Sequence, residues 1–149
     1  MTTLVQTLFP PVRRAIGGLE LLQPLAQLAA RLYVAQAFFL SGLTKIRNWD
    51  TTLALFQDEY HVPLLPPELA AVMGTCGEIG LPVLLVLGLA GRFAAAGLSV
   101  VNVVAVLSLA EIAPAALQQH QFWGSLLVGL LLWGPGRWSV DARLARILP

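Results

Sequence analysis

Charged residues are scarce in this sequence of 149 residues. Asp, Glu, Lys and Arg together make up 11% of it, less than half of the roughly 25% that soluble domains carry. A soluble fold of this size would expose large apolar patches, which soluble monomers rarely do. The shortage of charge therefore excludes an ordinary cytosolic enzyme and a disordered chain.

Cysteine and excess positive charge are also nearly absent. Cys76 is the only cysteine, so an internal disulfide framework and a cysteine-rich metal site are excluded. Nine Lys and Arg against eight Asp and Glu leave no basic excess for nucleic-acid binding. With 57% hydrophobic residues and a mean hydropathy of +0.76, the sequence predicts a small, all-α integral membrane protein.

Four apolar stretches are candidates for membrane-spanning helices. A bilayer core about 30 Å thick needs roughly 20 residues of helix to cross it. The strongly apolar part of the fourth stretch is short, so that helix must begin near Pro114. The sequence therefore predicts a four-helix bundle within residues 24–133, and its helices are expected at 24–43, 69–89, 93–112 and 114–133.

The segments outside these helices complete the domain organisation. Residues 1–23 are expected at the membrane surface or in the cytoplasm, with residues 12–22 forming either a short amphipathic helix or a frayed tail. Residues 46–68 form the outer loop, in which residues 49–60 have the apolar spacing of a short surface helix. Residues 134–149 form a C-terminal segment that contains a short helix.

The distribution of cations predicts the orientation. Bacterial membrane proteins retain their Lys and Arg on the cytoplasmic side. With four crossings, the side that holds both termini carries six cations, and the opposite side carries Lys45 and Arg47. We therefore expect both termini in the cytoplasm of a bacterial cell, a multi-pass protein of the inner membrane, and an acidic outer loop that contacts protein partners. Whether the chain forms a homo-oligomer stays open.

Four polar residues are predicted at costly positions. A charge inside a membrane helix costs on the order of 3 kcal/mol, so such groups face the bundle interior or pair. Arg31, Glu78 and Asn102 fall inside the predicted helices, and Lys45 falls at the outer end of the first. We expect them to form one polar cluster. Depth along the helices favours Arg31 as the partner of Glu78, but pairing with Lys45 stays open.

Two interpretations of this cluster stay open as well. It can be a salt bridge that only fixes the helix register. Alternatively, Glu78 handles protons, or the cluster binds a quinone or another small polar molecule. Pro82 strengthens the second interpretation, because it lacks the N–H that would occupy the carbonyl of Glu78.

A second group of residues has side chains that bind metals in other proteins. Histidine and carboxylate ligands hold divalent metals, but the spacing here matches no local motif, and solvated loop side chains are the simpler interpretation. This outer group consists of Asp58, Glu59, His61, Glu111 and His120.

Taken in order, several of these features resemble the DoxX family of four-helix bacterial membrane proteins. The resemblance depends on Arg31, Ser41-Gly42 and Lys45 in the first helix, Glu78 in the second, and the ending GPGRWSVD at residues 134–141. It implies an association with membrane oxidoreductase complexes, first as a subunit of a thiosulfate:quinone oxidoreductase. A quinone is therefore the one cofactor that the resemblance implies, and the residues themselves indicate none.

A finer resemblance involves residues 43–67. They are similar to a DoxX branch that is encoded beside copper-binding, ribosomally made modified peptides of the bufferin type. That branch is described as a maturation or accessory factor. The resemblance implies an accessory membrane protein of a redox or copper-stress system. The alternatives are a small proton-coupled transporter and a quinone-interacting oxidoreductase subunit, and catalytic residues stay unassigned.

Overall fold

The computed structural model describes residues 2–147, with side chains from residue 12 onward. Over that range the chain is all-helical and contains no strand, which confirms the all-α part of the predicted fold class. Its six helices are α1 (Thr2–Arg47), α2 (Trp49–Asp58), α3 (Pro67–Leu87), α4 (Gly91–Leu107), α5 (Pro114–Trp133) and α6 (Val140–Ile147).

Proline and glycine set several of the helix ends. Pro67 and Pro114 begin α3 and α5, where the missing N–H of proline would have no intrahelical partner. Gly88 ends α3 in the left-handed conformation, and its N–H bonds the carbonyls of Leu84 and Leu85. Ala90 is also left-handed, with φ of 48°, so only a two-residue turn follows Gly88 before α4 begins.

Two helix boundaries differ from the prediction. The first helix is continuous from Thr2 to Arg47 rather than beginning at Pro24, and residues 12–22 are helical rather than frayed. Arg, Ala, Leu and Glu, which are good helix formers, make up most of residues 12–22 and favour the helical form of that stretch. α4 ends at Leu107, not at residue 112. The carbonyl of Ser108, which follows it, accepts from the N–H of His61 at 2.8 Å instead of from a residue one turn further along α4.

The four longest helices pack in one ring. α1 packs on α3, α3 on α4, α4 on α5, and α5 closes against α1. The core between them contains Val34, Ala35, Phe38, Leu85, Ala94, Ala95, Leu98, Leu127 and Leu130. A smaller apolar cluster holds α2 across the ends of α1 and α3 through Phe56, Ala70 and Ala71.

The outside of the ring is apolar. Phe93, Leu107 and Leu132 each expose more than 60% of their surface. Within residues 2–147, α3 is the one helix that is both long and apolar enough to cross a bilayer, and α4 is apolar but has 17 residues. α1 and α5 include polar residues such as Gln27 and Gln119, which lower their mean hydropathy.

Candidate functional site

Glu78 pairs with Lys45. The Lys45 Nζ lies 2.6 Å from Glu78 Oε2 and 2.8 Å from Oε1, and it also donates to Ser41 Oγ at 3.0 Å. The three protons of the ammonium group therefore have three acceptors. The Lys45 side chain is 19% exposed and that of Glu78 is 10% exposed, so water screens this pair only weakly.

Close contact between α1 and α3 brings the pair together. Gly42 is buried against α3, and a Cβ there would lie 2.8 Å from Ile79 Cδ1 and 3.0 Å from Glu78 Cβ. Only glycine allows the two backbones to approach this closely. Lys45, almost one turn beyond Gly42, then reaches Glu78. The depth estimate that favoured Arg31 is wrong, because it assumed the offset between the two helices.

Arg31 lies at the opposite end of the ring and binds carbonyl groups. Its side chain is almost fully buried, with 1% of its surface exposed. Nε donates to the carbonyl of Leu85 at 2.8 Å, and Nη2 donates to that of Val86. Nη1 donates to the carbonyls of Pro135 at 3.0 Å and Trp138 at 2.8 Å.

These acceptors explain how a buried guanidinium is tolerated. Leu85 and Val86 belong to the last turn of α3, where carbonyls lack the donor four residues on and carry the negative end of the helix dipole. The carbonyl of Leu85 accepts from the N–H of Gly88 as well as from Arg31. Pro135 and Trp138 lie in the loop after α5. Arg31 thus joins α1, the end of α3 and this loop, so the structure separates it from Glu78.

The GPGRWSVD segment at residues 134–141 completes this junction. Asp141 accepts hydrogen bonds from the backbone N–H groups of Ala90 and Gly91, both at 2.8 Å, and so caps the start of α4. Its own N–H donates to the carbonyl of Gly88 at 2.9 Å. A Cβ at Gly88 would collide with Ser139 and approach Arg31 Nη2 at 2.8 Å. We name this group of contacts the Arg31 junction.

Asn102 pairs with His120 rather than with the ions. Its Oδ1 lies 2.7 Å from His120 Nδ1, and its Nδ2 donates to the carbonyl of His120 at 3.0 Å. The His120 ring packs edge-on against Trp123, with ring centroids 5.1 Å apart. The predicted four-residue cluster is therefore three separate sites: the Lys45–Glu78 pair, Arg31 with its carbonyl acceptors, and Asn102 with His120.

The outer group of potential metal ligands is not assembled. His120 faces inward on Asn102, whereas the Nδ1 of His61 lies 3.2 Å from the carbonyl of its neighbour Glu59. Among residues 2–147, no three His, Cys, Asp or Glu side chains are placed to share a metal ion. The spacing of these residues in the sequence did not indicate which of their side chains would face the inside of the helix ring.

A cavity of about 420 Å³ lies beside the ion pair. Its walls come from α1, α3, α4 and α5, and residues of α2 and the following loop cover it. Its polar lining includes Lys45, Glu78, Tyr60 and His120, and most of the remaining surface is apolar or aromatic. Burial raises the pKa of Tyr60, and the nearby carboxylates of Glu59 and Glu78 raise it further. Its hydroxyl therefore stays protonated at neutral pH.

Removing either ion of the Lys45–Glu78 pair is expected to destabilise the protein. Lys45→Met or Glu78→Gln leaves one poorly solvated partner, which costs about 3–5 kcal/mol in buried pairs. The double variant should cost much less than the sum of the two. A double-mutant cycle on unfolding in detergent measures this coupling, and strictly additive losses would contradict the pairing. The exposed Gln57–Glu68 hydrogen bond is the matched control, and its two substitutions should be nearly additive because solvent screens the contact.

Replacing Arg31 with lysine is expected to destabilise the protein despite the conserved charge. An ammonium group has three protons and no planar fork, so it cannot serve four carbonyls. Each buried carbonyl left without a donor costs about 1–3 kcal/mol. Thermal unfolding in detergent should show a clear loss for Arg31→Lys and almost none for Arg137→Lys, whose side chain is exposed. Equal stability of the two variants would refute the structural role of the Arg31 junction.

Comparison with known proteins identifies the family of this chain. Neither a curated protein nor a solved structure matches the chain significantly. The DoxX family matches residues 26–111, more than half of the chain, and this range includes Arg31, the Lys45–Glu78 pair and Asn102. The chain therefore belongs to the DoxX family of membrane proteins.

Proposed function

We propose that this DoxX protein is an accessory membrane subunit that serves a redox or copper-stress system through protein partners. The observation that supports this role is the way its charges are used. Lys45, Glu78 and Arg31 hold helices together inside the ring, whereas the exposed charge near α2 is almost entirely negative. The buried ions thus act as a framework, and the surface around α2 is available for recognition.

The acidic surface around α2 is the proposed partner site. Its cation Lys45 is engaged with Glu78, so Arg47 is the exposed cation close to it. Complementary charge steers a basic partner to such a surface. The exposed carboxylates of this acidic surface are Asp50, Asp58, Glu59, Glu68 and Glu111.

The proposed partner belongs to one of two classes. Residues 43–67, which resemble the bufferin-associated branch, build most of the acidic surface. A copper-binding modified peptide or its modifying enzyme is therefore the first class, and the subunit of a membrane oxidoreductase is the second. The identity of the captured partner distinguishes them.

In the membrane, we propose that α1, α3, α4 and α5 cross the bilayer and that both termini face the cytoplasm of a bacterial inner membrane. The exposed cations Arg92, Arg137, Arg143 and Arg146 share the end of the ring that contains the Arg31 junction. The acidic surface lies at the other end. This asymmetry agrees with the retention of Lys and Arg on the cytoplasmic side.

Reporter fusions test this arrangement. Green fluorescent protein fused after Ile147 should fluoresce, because it folds in the cytoplasm. Alkaline phosphatase inserted at Leu64, a fully exposed residue of the outer loop, should be active, because it needs the periplasm. Reporters that place Ile147 and Leu64 on the same side would contradict four crossings.

A proton-coupled transporter is the second candidate function, and the position of Glu78 beside a cavity favours it. When the pair opens toward a transported molecule, the freed carboxylate can take up a proton and later release it. A quinone-interacting subunit is the remaining alternative. The volume and aromatic lining of the cavity fit the head group of a quinone.

Partner capture and flux separate these functions. The tagged protein should retain a redox or peptide-modifying partner in native membranes, and reversing Asp50, Asp58 and Glu59 to lysine should abolish this capture. Glu20→Lys, which reverses an exposed carboxylate far from α2, is the control and should leave capture unchanged. Proteoliposomes should show no proton flux that Glu78→Gln removes. Flux that depends on Glu78, without partner capture, would select the transporter instead.

A further inference from the structure

The cavity beside the ion pair has the dimensions of a small-molecule site. Its volume of about 420 Å³ lies within the range of roughly 300–1,000 Å³ that ligand pockets occupy. Phe38, Phe56 and Trp123 supply aromatic surface to its walls. Such a lining accommodates a flat apolar ring better than an ion or a sugar.

The donor protons of the ion pair are already occupied. The three protons of Lys45 are donated to Ser41 and to both carboxylate oxygens of Glu78. A ligand could gain a hydrogen bond from Lys45 only by displacing an internal partner, whereas the oxygens of Glu78 keep lone pairs that can accept. Acceptors for a ligand are therefore the carboxylate of Glu78 and other side chains of the lining, and the variants below distinguish them.

His120 is held so that one ring nitrogen stays available. Asn102 Nδ2 donates to the carbonyl of His120, so the Oδ1 of the same amide is the group that faces Nδ1 at 2.7 Å. An amide oxygen only accepts, so Nδ1 must donate. In the neutral ring, Nε2 then carries the lone pair, and it has no hydrogen-bond partner within residues 12–147. Both polar groups of the buried Asn102 side chain therefore bind His120 and orient its ring.

A second polar group beside the cavity also lacks a partner. The indole Nε1–H of Trp123 is buried without an acceptor among the described residues. Trp123 packs against His120 and lines the same cavity. A hydroxyl on a ligand can donate to a lone pair such as that of His120 Nε2. The Trp123 N–H has almost no accessible surface, so Trp123 contributes its aromatic surface to the cavity rather than a donor.

We propose that this cavity binds a lipid-soluble aromatic molecule that carries a hydroxyl group. The Nε2 of His120 accepts a hydrogen bond from this hydroxyl. The aromatic body lies among Phe38, Phe56 and Trp123, and Asn102 positions the imidazole. His120 lies beyond the residues that match the DoxX family, so the assignment comes from this chain's own geometry. It rests on the proposed membrane placement only for the route by which the ligand arrives.

A pair of probes tests the role of the hydroxyl without any mutation. 1-Naphthol has a phenolic O–H, whereas 1-methoxynaphthalene has nearly the same shape and no donor. Equilibrium dialysis of the purified protein in detergent, corrected with protein-free micelles, should show saturable binding of 1-naphthol. The methyl ether should bind about tenfold more weakly, as expected for one lost hydrogen bond in a desolvated site. Equal affinities, or no saturable binding of 1-naphthol, would overturn the proposal.

Two matched pairs of variants locate the binding. Gly74 lines the cavity, and a Cβ there would meet only Phe56 Cζ at 3.7 Å, so Gly74→Leu should fill the space and abolish binding. Gly80→Leu on the same helix, where a Cβ meets nothing within 4 Å, should bind normally. His120→Phe should lower the affinity for 1-naphthol about tenfold, and His61→Phe should not. Normal binding by both Gly74→Leu and His120→Phe would overturn the site.

A spectroscopic measurement assigns the acceptor directly. With ¹⁵N-labelled histidine, 1-naphthol should shift the Nε2 resonance of His120 and leave that of His61 unchanged. A shift at neither histidine would overturn the assignment. Because these measurements use purified protein, they can succeed while partner capture fails, or fail while partner capture succeeds. The two proposals are therefore separable.

Discussion

One end of the helix ring depends on the buried guanidinium of Arg31. A charge almost completely removed from water is tolerated only where fixed dipoles replace the lost hydration. The last carbonyls of α3 and two carbonyls after α5 supply those dipoles. Arg31 therefore determines where α3 must end and where the chain must return after α5. The glycines at these turns follow from the same requirement, because the backbone has to approach the guanidinium closely.

Asp141 extends this constraint to the next helix. Its carboxylate caps the start of α4, and its N–H binds the carbonyl of Gly88. A motif near the C-terminus thus organises a turn some fifty residues earlier in the chain. Its chemistry is that of a helix cap, which fixes the turn at Gly88 against the segment that follows α5.

The end of the ring that α2 covers combines an ion pair with a cavity instead of a filled core. There the Lys45–Glu78 pair links α1 to α3, and α2 covers a cavity instead of closing it with side chains. An apolar core like the one around Leu98 and Leu127 would stabilise the ring more simply. Keeping an ion pair, an oriented histidine and empty space at one level costs stability, and such costs are usually associated with function. The end of the ring that contains the Arg31 junction is thus a framework, and the end covered by α2 holds the ligand site and the partner surface that we propose.

The amino-acid sequence alone determined the all-helical class, the approximate positions of most helices and the family. Low charge, apolar stretches and prolines at helix starts act locally, so they can be read without knowing what packs against them. It also identified Arg31, Lys45, Glu78 and Asn102 as residues of interest, because a polar group in an apolar helix is conspicuous.

Only the tertiary structure decided which partner each of these residues has. Helical periodicity defines a face and a depth along one helix, but the offset between two helices depends on where their backbones can meet. At Gly42 the missing side chain sets that offset and brings Lys45, not Arg31, to Glu78. The contact between Asn102 and His120 and the cavity beside it also depend on how the helices pack. Both arise from contacts between segments that are far apart in the chain, and the local sequence pattern of one helix does not indicate such contacts.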